Sequence, residues 1–429
     1  MGIPNSSLRP IPCKSMADQR TFLIDSLAHK GDGLAHDGDQ PVYLPYVLPG
    51  ERVVASQDAK GQWHVDDILE ASPARVAPVC RHFGKCGGCA LQHLRTEDYL
   101  AWKQRALETT LHQRGFDRVE LASIVQIPPA SRRRLTLTAR KHKSGVALGF
   151  QKSRSHDIED LSECPVALPI FAQTFPVLRD MLGESLSRKG QARLVMNATD
   201  IGLDVAVSTQ KSAPLKPQTV AQLAEKCAAN KLARLTWDED LIYQSQAPTL
   251  KVDGLSVSPP PGAFLQASEQ AQNTLIDFVV QAASGAKKVV DLFCGVGTFA
   301  LPLSNASQVS AFDAAGSMIE ALRQAADQAG IGNRLVAERR DLYRRPLQSA
   351  EFKPFNVAVL DPPRNGALEQ SKQMAASKLE KIIYVSCNPA TFARDARELV
   401  NGGFNLKRVV PIDQFLWSPH IELVALLER

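Results

Sequence analysis

Val289-Val290-Asp291-Leu292-Phe293-Cys294-Gly295-Val296-Gly297-Thr298-Phe299-Ala300 reads as a buried strand, a glycine turn and the start of a helix. Glycines there let the backbone approach a nucleotide closely while the helix N-terminus faces it. Gly295-x-Gly297-x-x-Ala300 also fits a dinucleotide fingerprint, so the loop alone leaves NAD and S-adenosylmethionine open. Asp291 favours S-adenosylmethionine: a carboxylate at the loop entrance repels a pyrophosphate but suits a cationic methionine end. Asp313, after Phe312 at the next strand end, is expected to take ribose hydroxyls with either ligand.

Around this stretch, strand candidates Lys288–Phe293, Gln308–Phe312, Arg334–Ala337, Asn356–Leu360 and Lys381–Ser386 alternate with helical segments. That order predicts a doubly wound parallel sheet, with ligands at the carboxyl ends of its strands. Leu360-Asp361-Pro362-Pro363-Arg364 ends one strand there, and the two prolines stop the ladder and project Asp361. Enzymes that methylate exocyclic amines follow a similar Asp-Pro-Pro with an aromatic; Arg364 stands here, which disfavours that chemistry. Lys381-Ile-Ile-Tyr-Val-Ser-Cys387-Asn-Pro places Cys387 just beyond the next strand, ahead of a helix over Ala390–Val400. A helix N-terminus and nearby cations can lower a thiol pKa into the roughly 3.5–7.5 range and give a standing thiolate. Cys294, inside the glycine loop, reads as packing.

A thiolate beside a methyl donor implies one reaction. Thiolate attack on C6 of a pyrimidine turns C5 into a nucleophile that takes the methyl group; a base then removes the C5 proton and the thiolate leaves. Glu422, in Pro419-His420-Ile421-Glu422-Leu423-Val424, lies on a late strand, although from its residues alone it reads as an exposed strand carboxylate.

Cys80-x5-Cys86-Gly-Gly-Cys89, with the distant Cys164-Pro165, can supply four thiolates to zinc or to an iron–sulfur cluster. Between 131 and 156, Arg132, Arg133, Arg134, Arg140, Lys141, Lys143, Lys152 and Arg154 occur without an acidic residue, a stripe able to neutralise RNA phosphates. Residues 21–75 read as short strands (Thr21–Leu27, Gln40–Val47, Glu51–Gln57, Trp63–Leu69) of a small barrel, and a helix is predicted from about Thr96 to Arg114. Pro259-Pro260-Pro261-Gly262 reads as a linker.

The chain has 429 residues, a net charge of +5, 44% hydrophobic and 22% charged residues, which excludes disorder, collagen and coiled coil. No apolar run approaches the roughly 18 residues of a membrane span, so no membrane association is expected. The first twenty residues carry no apolar signal core and read as a flexible tail of a cytoplasmic protein. The eight cysteines lack the dense spacing of a secreted disulfide scaffold.

Taken together, CRHFGKCGGCALQHL (80–94), SHDIEDLSECP (155–165), DLFCGVGTFALPL (291–303), LDPPRNG (360–366), YVSCNPATFARD (384–395) and HIELVALLER (420–429) resemble the RNA uridine-C5 methyltransferase family, in its iron–sulfur-containing branch acting on 23S ribosomal RNA. The resemblance implies α/β and β architecture. An OB-like RNA-binding TRAM domain would span 15–75, a central iron–sulfur domain 76–92 and 125–262, and a Rossmann-like class I methyltransferase domain 93–124 and 263–429. It implies S-adenosylmethionine and a 4Fe-4S cluster as cofactors, the cluster on Cys80, Cys86, Cys89 and Cys164. Cys387 would be the nucleophile and Glu422 the proton-abstracting base, which reverses the reading from residues alone. Gln266, Phe293, Gly295, Thr298, Asp313, Asp341 and Asp361 would contact S-adenosylmethionine. Arg132, Arg133, Arg134, Lys141 and Lys143 are the candidate RNA contacts. A monomer is the default expectation, and transfer RNA is the main alternative substrate. An NAD oxidoreductase, a radical enzyme and a non-catalytic RNA-binding protein are the rival classes.

Overall fold

A computed structural model describes residues 19–209 and 214–429. The predicted N-terminal tail, with Cys13 and the first residues of the expected TRAM segment, lies outside the described residues. The chain divides into two compact units, one of residues up to Pro78 with Ala90–Trp102, the other of Val79–Cys89 with Lys103–Arg429.

In the first unit, β1 (Arg20–Leu23), β2 (Ser26–Leu27), β3 (Gly33–Asp37), β4 (Gln40–Leu44), β5 (Arg52–Gln57) and β6 (Trp63–Glu70) form two three-stranded antiparallel sheets, β1-β5-β6 and β2-β3-β4. One core of Phe22, Ile24, Ala35, Val42, Leu44, Val47, Val53 and Ala55 joins them. The strand Gly33–Asp37 falls where the sequence reads as a turn: alternate burial of Gly33 and Ala35 outweighs the Gly-Asp signal. Helix α1 (Thr96–His112) follows, close to its predicted span.

The second unit holds two layered regions. After the short β7 (Glu120–Leu121) and β8 (Val125–Gln126) come β9 (Arg134–His142), β10 (Gly145–Gly149), α2 (Pro169–Ser185), β11 (Gln191–Thr199), β12 (Gly202–Thr209), α3 (Pro217–Ala229), β13 (Arg234–Trp237) and β14 (Asp240–Gln244). Their strands run in the order β10-β9-β11-β12-β13-β14, and Phe171, Phe175, Leu178 and Leu182 of α2 bury against that sheet. Between it and the next layer lie the hairpin β15 (Leu250–Val252) and β16 (Leu255–Val257) and helix α4 (Glu269–Ala282), capped by Ser268, whose hydroxyl accepts from the Ala271 N–H.

The last region is the doubly wound sheet. Strands β17 (Lys288–Leu292), β18 (Gln308–Asp313), β19 (Leu335–Arg339), β20 (Val357–Leu360) and β21 (Lys381–Ser386) are mutually parallel, with α5 (Ala300–Leu303), α6 (Gly316–Gln328), α7 (Leu368–Ala375) and α8 (Pro389–Asn401) between or after them. Two further strands, β22 (Asn405–Asp413) and β23 (Glu422–Glu428), extend it to the order β19-β18-β17-β20-β21-β23-β22-β7, with β23 antiparallel to both neighbours. The five parallel strands match the sequence reading; β22 does not announce itself, because its first half alternates weakly and Pro411 interrupts it. Strand order reverses between β17 and β20, which opens a crevice at their carboxyl ends. Among the described residues no helix is long and apolar enough to cross a membrane.

Candidate active site

A cavity of about 500 Å³ occupies that crevice, lined by the glycine loop, the ends of β18, β20 and β21, and the connection from β22 to β23. Gln266, Phe293, Gly295, Thr298, Asp313, Asp341, Asp361, Cys387 and Glu422 all line it.

The glycine loop is held by backbone geometry. Gly297 has φ +94, and a Cβ there would stand 2.4 Å from Leu322 Cδ1. Phe293 is itself left-handed (φ 62), a conformation uncommon for a bulky side chain, and its ring stands 5.5 Å from that of Tyr343. The Asp313 carboxylate accepts from the Gly295 N–H (3.0 Å) and the Ala315 N–H (2.8 Å), so it fastens the loop to the start of α6. Two expectations fail. The helix after the loop is only the four-residue α5, and Asp291 does not line the cavity: it is fully buried, both oxygens lack a hydrogen bond of normal geometry, and burial followed by the charge of Asp361 pushes its carboxyl well up.

Asp361 and Cys387 are fixed to each other through the Arg364 carbonyl. It accepts from Asn388 Nδ2 (2.9 Å) and Thr391 Oγ1 (3.1 Å), at the start of α8. Buried Asp395 of α8 accepts from the Ala367 N–H (2.6 Å) and the Tyr384 hydroxyl (2.7 Å). Gly366 is required between them, for its φ is +72 and a Cβ would meet Asp395 Oδ2 at 2.5 Å. The Arg364 side chain points to the cavity and donates to His420 Nδ1 at 3.2 Å.

The expected standing thiolate is not what this site gives. Burial, then the charges of Glu422 and Asp361, pushes the Cys387 thiol up to about 12, and Arg364 opposes them only in part. Glu422 is 3% exposed, not a surface carboxylate. Burial and the neighbouring Asp361 raise its pKa well above the usual range, while a hydrogen bond from Gln414 lowers it. Burial likewise raises Asp361, against a hydrogen bond from Gln266. The two carboxyls are joined through amides: Gln414 Nε2 donates to Glu422 Oε2 (2.6 Å) and Gln266 Oε1 (3.1 Å), and Gln266 Nε2 donates to Asp361 Oδ2 (2.9 Å). Gln414 carries no motif and is invisible in the sequence; only the return of β22 beside β23 brings it here.

The basic stripe divides. Arg132 stacks over Phe415 (5.9 Å) and Arg134 over the exposed Phe264 (5.5 Å), both at the cavity wall. Arg133, 6% exposed, donates to Gln272 Oε1 (2.6 Å) and the Gln266 carbonyl (3.2 Å), and Lys141 donates to the carbonyls of Gly183 (2.5 Å) and Leu186 (2.8 Å). Both donate to internal acceptors, Arg133 from just before β9 and the half-buried Lys141 from within it, in step with buried Leu135, Leu137 and Ala139. Lys143 is exposed at the β9–β10 turn, and Lys152 and Arg154 line a separate open cleft with Gly87, Gly88, Thr136 and Phe150.

Beside that cleft, His82 binds Glu159 through Nδ1 (3.0 Å) and accepts from the Ser162 N–H at Nε2 (3.1 Å), tying the 80–89 loop to the segment before Cys164. Burial raises the thiols of Cys80, Cys86 and Cys164, with Cys164 adding to the rise at the other two, and Arg132 stands near Cys164 and Cys89. The Gly88 N–H donates to Cys86 Sγ at 3.4 Å. Among the described residues, no group of three or more His, Cys, Asp or Glu side chains is gathered closely enough to hold a metal ion.

The family model for tRNA (uracil-5-)-methyltransferase matches residues 227–429. A protein of Caulobacter vibrioides described as an uncharacterized RNA methyltransferase is 42% identical over 413 residues, covering 95% of this chain and 99% of that protein. The chain belongs to the RNA (uracil-5-)-methyltransferase family. This RNA methyltransferase is also 32% identical to the 23S rRNA (uracil(1939)-C(5))-methyltransferase RlmD of Halomonas elongata, over 96% of this chain and 90% of that one. In fold it is similar to the crystal structure of Pyrococcus abyssi tRNA (uracil-54, C5)-methyltransferase in complex with S-adenosyl-L-homocysteine. The TM-score is 0.72 at 24% identity, covering 95% of this chain and all of that one.

Proposed function

We propose that the chain transfers a methyl group from S-adenosylmethionine to C5 of a uridine in 23S ribosomal RNA, through a covalent bond between Cys387 and C6. The observation that carries this reading is the meeting of Cys387, Glu422 and Asp361 with the glycine loop in one cavity. S-adenosylmethionine supplies an electrophilic methyl group when bound against Gly295, Thr298, Asp313 and Asp341, with Phe293 and Tyr343 as an apolar wall; the S-adenosyl-L-homocysteine in the Pyrococcus enzyme supports that choice.

The chain's residues then act in sequence. The target base is extruded into the cavity, at a cost of roughly a few kcal/mol. Cys387 gives its proton to solvent as the base enters, Arg364 stabilising the sulfur anion, and forms the S–C6 bond as the C5=C6 electron pair moves onto the C4 carbonyl oxygen. The enolate so formed attacks through C5, the sulfonium S–CH3 bond breaks, and S-adenosylhomocysteine is left. Glu422, ionised, accepts the C5 proton, the C5=C6 bond re-forms and the S–C6 bond breaks. Burial raises the basicity of Glu422 toward that task.

We also propose that Cys80, Cys86, Cys89 and Cys164 hold a 4Fe-4S cluster. The four-thiolate donor set, the N–H that Gly88 donates to Cys86 Sγ and the Arg132 cation beside Cys164 and Cys89 would suit the anionic sulfurs of such a cluster. A cluster held by these cysteines would anchor the loops that carry them. The N-terminal TRAM-like sheets and, separately, the cleft of Lys152 and Arg154 would each offer contacts to RNA.

The test is mass-spectrometric mapping of 5-methyluridine in ribosomal and transfer RNA from cells with and without the gene, complemented by wild-type protein or Cys387→Ala. Loss of one 23S site, restored by wild type alone, is expected. Unchanged 5-methyluridine would overturn the assignment. A lost transfer RNA site would favour the second reading, which the description of the matching family model supports.

A further inference from the structure

Lys103, in α1, is 2% exposed. Its Nζ donates to Asp413 Oδ1 (2.5 Å), the Phe415 carbonyl (3.3 Å) and the His420 carbonyl (2.6 Å). All three acceptors belong to one connection, from the end of β22 to the start of β23. That connection begins with Gln414 and delivers Glu422, and its backbone at Trp417 is left-handed (φ 57). A bulky residue does not choose that conformation unaided.

A buried ion pair is a poor device for stability, because desolvation of both charges offsets their attraction, and apolar replacement of the pair is often neutral or stabilising. Here the pair is incompletely satisfied as well, for Asp413 Oδ2 has no hydrogen bond. An ammonium group can do what an apolar side chain cannot: hold two backbone carbonyls near opposite ends of a connection at one point.

We infer that Lys103 is a positioning residue for proton abstraction, fixing the connection between β22 and β23 so that Glu422 Oε1 faces the substrate carbon. The inference rests on Glu422 as the base proposed above. At that step the C5–H bond breaks, the proton passes to Glu422, its electron pair returns the C5=C6 double bond through the enolate, and Cys387 departs as thiolate.

The deciding experiment uses Lys103→Met with Asp413→Leu, the full chain, S-adenosylmethionine, and total RNA labelled with [5-³H]uridine in cells lacking this enzyme. Three quantities are followed: the unfolding midpoint, the protein–RNA adduct on denaturing gels, and tritium released to water. We expect a midpoint at or above that of wild type and adduct formation within about threefold of it. Tritium release should be slower by about tenfold or more, with adduct accumulating. Release at the wild-type rate from the folded double variant overturns the inference and leaves the base assignment intact. Equal loss of adduct formation and tritium release also overturns it, since the pair would then serve the whole site and not one step. If Glu422→Gln itself releases tritium normally, the base assignment falls and the clamp with it. Should the double variant fail to fold, Lys103→Arg is judged on the same two rates with the same outcomes.

Discussion

Gln414 donates to Oε2 of Glu422 at 2.6 Å, while Oε1 of the same carboxyl is buried without a hydrogen bond. One oxygen is anchored and the other is left for a proton. Glu422→Gln keeps the shape and removes the base. The variant should form the covalent RNA adduct and release tritium from C5 about 10²–10⁴-fold more slowly, measured in single turnover.

Gln414→Leu removes the one hydrogen bond that lowers the Glu422 pKa. A smaller fraction of Glu422 is then ionised at any given pH. The pH dependence of tritium release should therefore move to higher pH, while adduct formation, with less Glu422 charge against the Cys387 thiolate, should be no slower than in wild type.

The Cys387 thiol, pushed up to about 12, gives the opposite assay its own signature. Adduct formation should rise with pH from 6 to 9, approaching tenfold for each step of one. Arg364→Met withdraws a cation that favours the thiolate, so its rates should be lower at every pH.

Buried Glu422 and Asp361 also link stability to pH. Unfolded carboxyls titrate near 4, and both are raised in the fold. Folding thus favours the protonated forms; that stability is complete below about pH 4 and is lost as pH rises toward the folded values. Glu422→Gln removes part of the loss. It should be more stable than wild type by at least about 1 kcal/mol at pH 8, with the gap closing near pH 4, in denaturant titrations.

Arg133 and Lys143 separate structure from RNA contact. Arg133→Ala leaves buried partners unsatisfied and should cost about 2–4 kcal/mol of stability. Lys143→Ala, at an exposed turn, should change stability by less than about 0.5 kcal/mol. If it meets a phosphate, the salt dependence of RNA binding should fall by about one ion.

The local signals were strong where chemistry and chain direction coincide. A glycine loop, Asp-Pro-Pro and Cys-Asn-Pro each sit at a strand end, so alternating strand and helix patterns were enough to predict a doubly wound sheet and to put Asp361 and Cys387 on its ligand-binding edge. The same reading misjudged what those groups feel. Sequence neighbours alone suggest a charged Asp291 and a lowered Cys387 pKa, whereas burial, and then carboxyls brought from other strands, push both up.

Covalent order by itself determined which residues stand at which strand ends, for that depends on propensity and spacing within a few residues. Tertiary structure decided the rest. The antiparallel return of β23 beside β21 carries Glu422 into the cavity wall, β22 brings Gln414 and Asp413, and α1 supplies Lys103 from more than three hundred positions away. Burial and through-space charge have no sequence period, so the protonation of the site follows from packing alone.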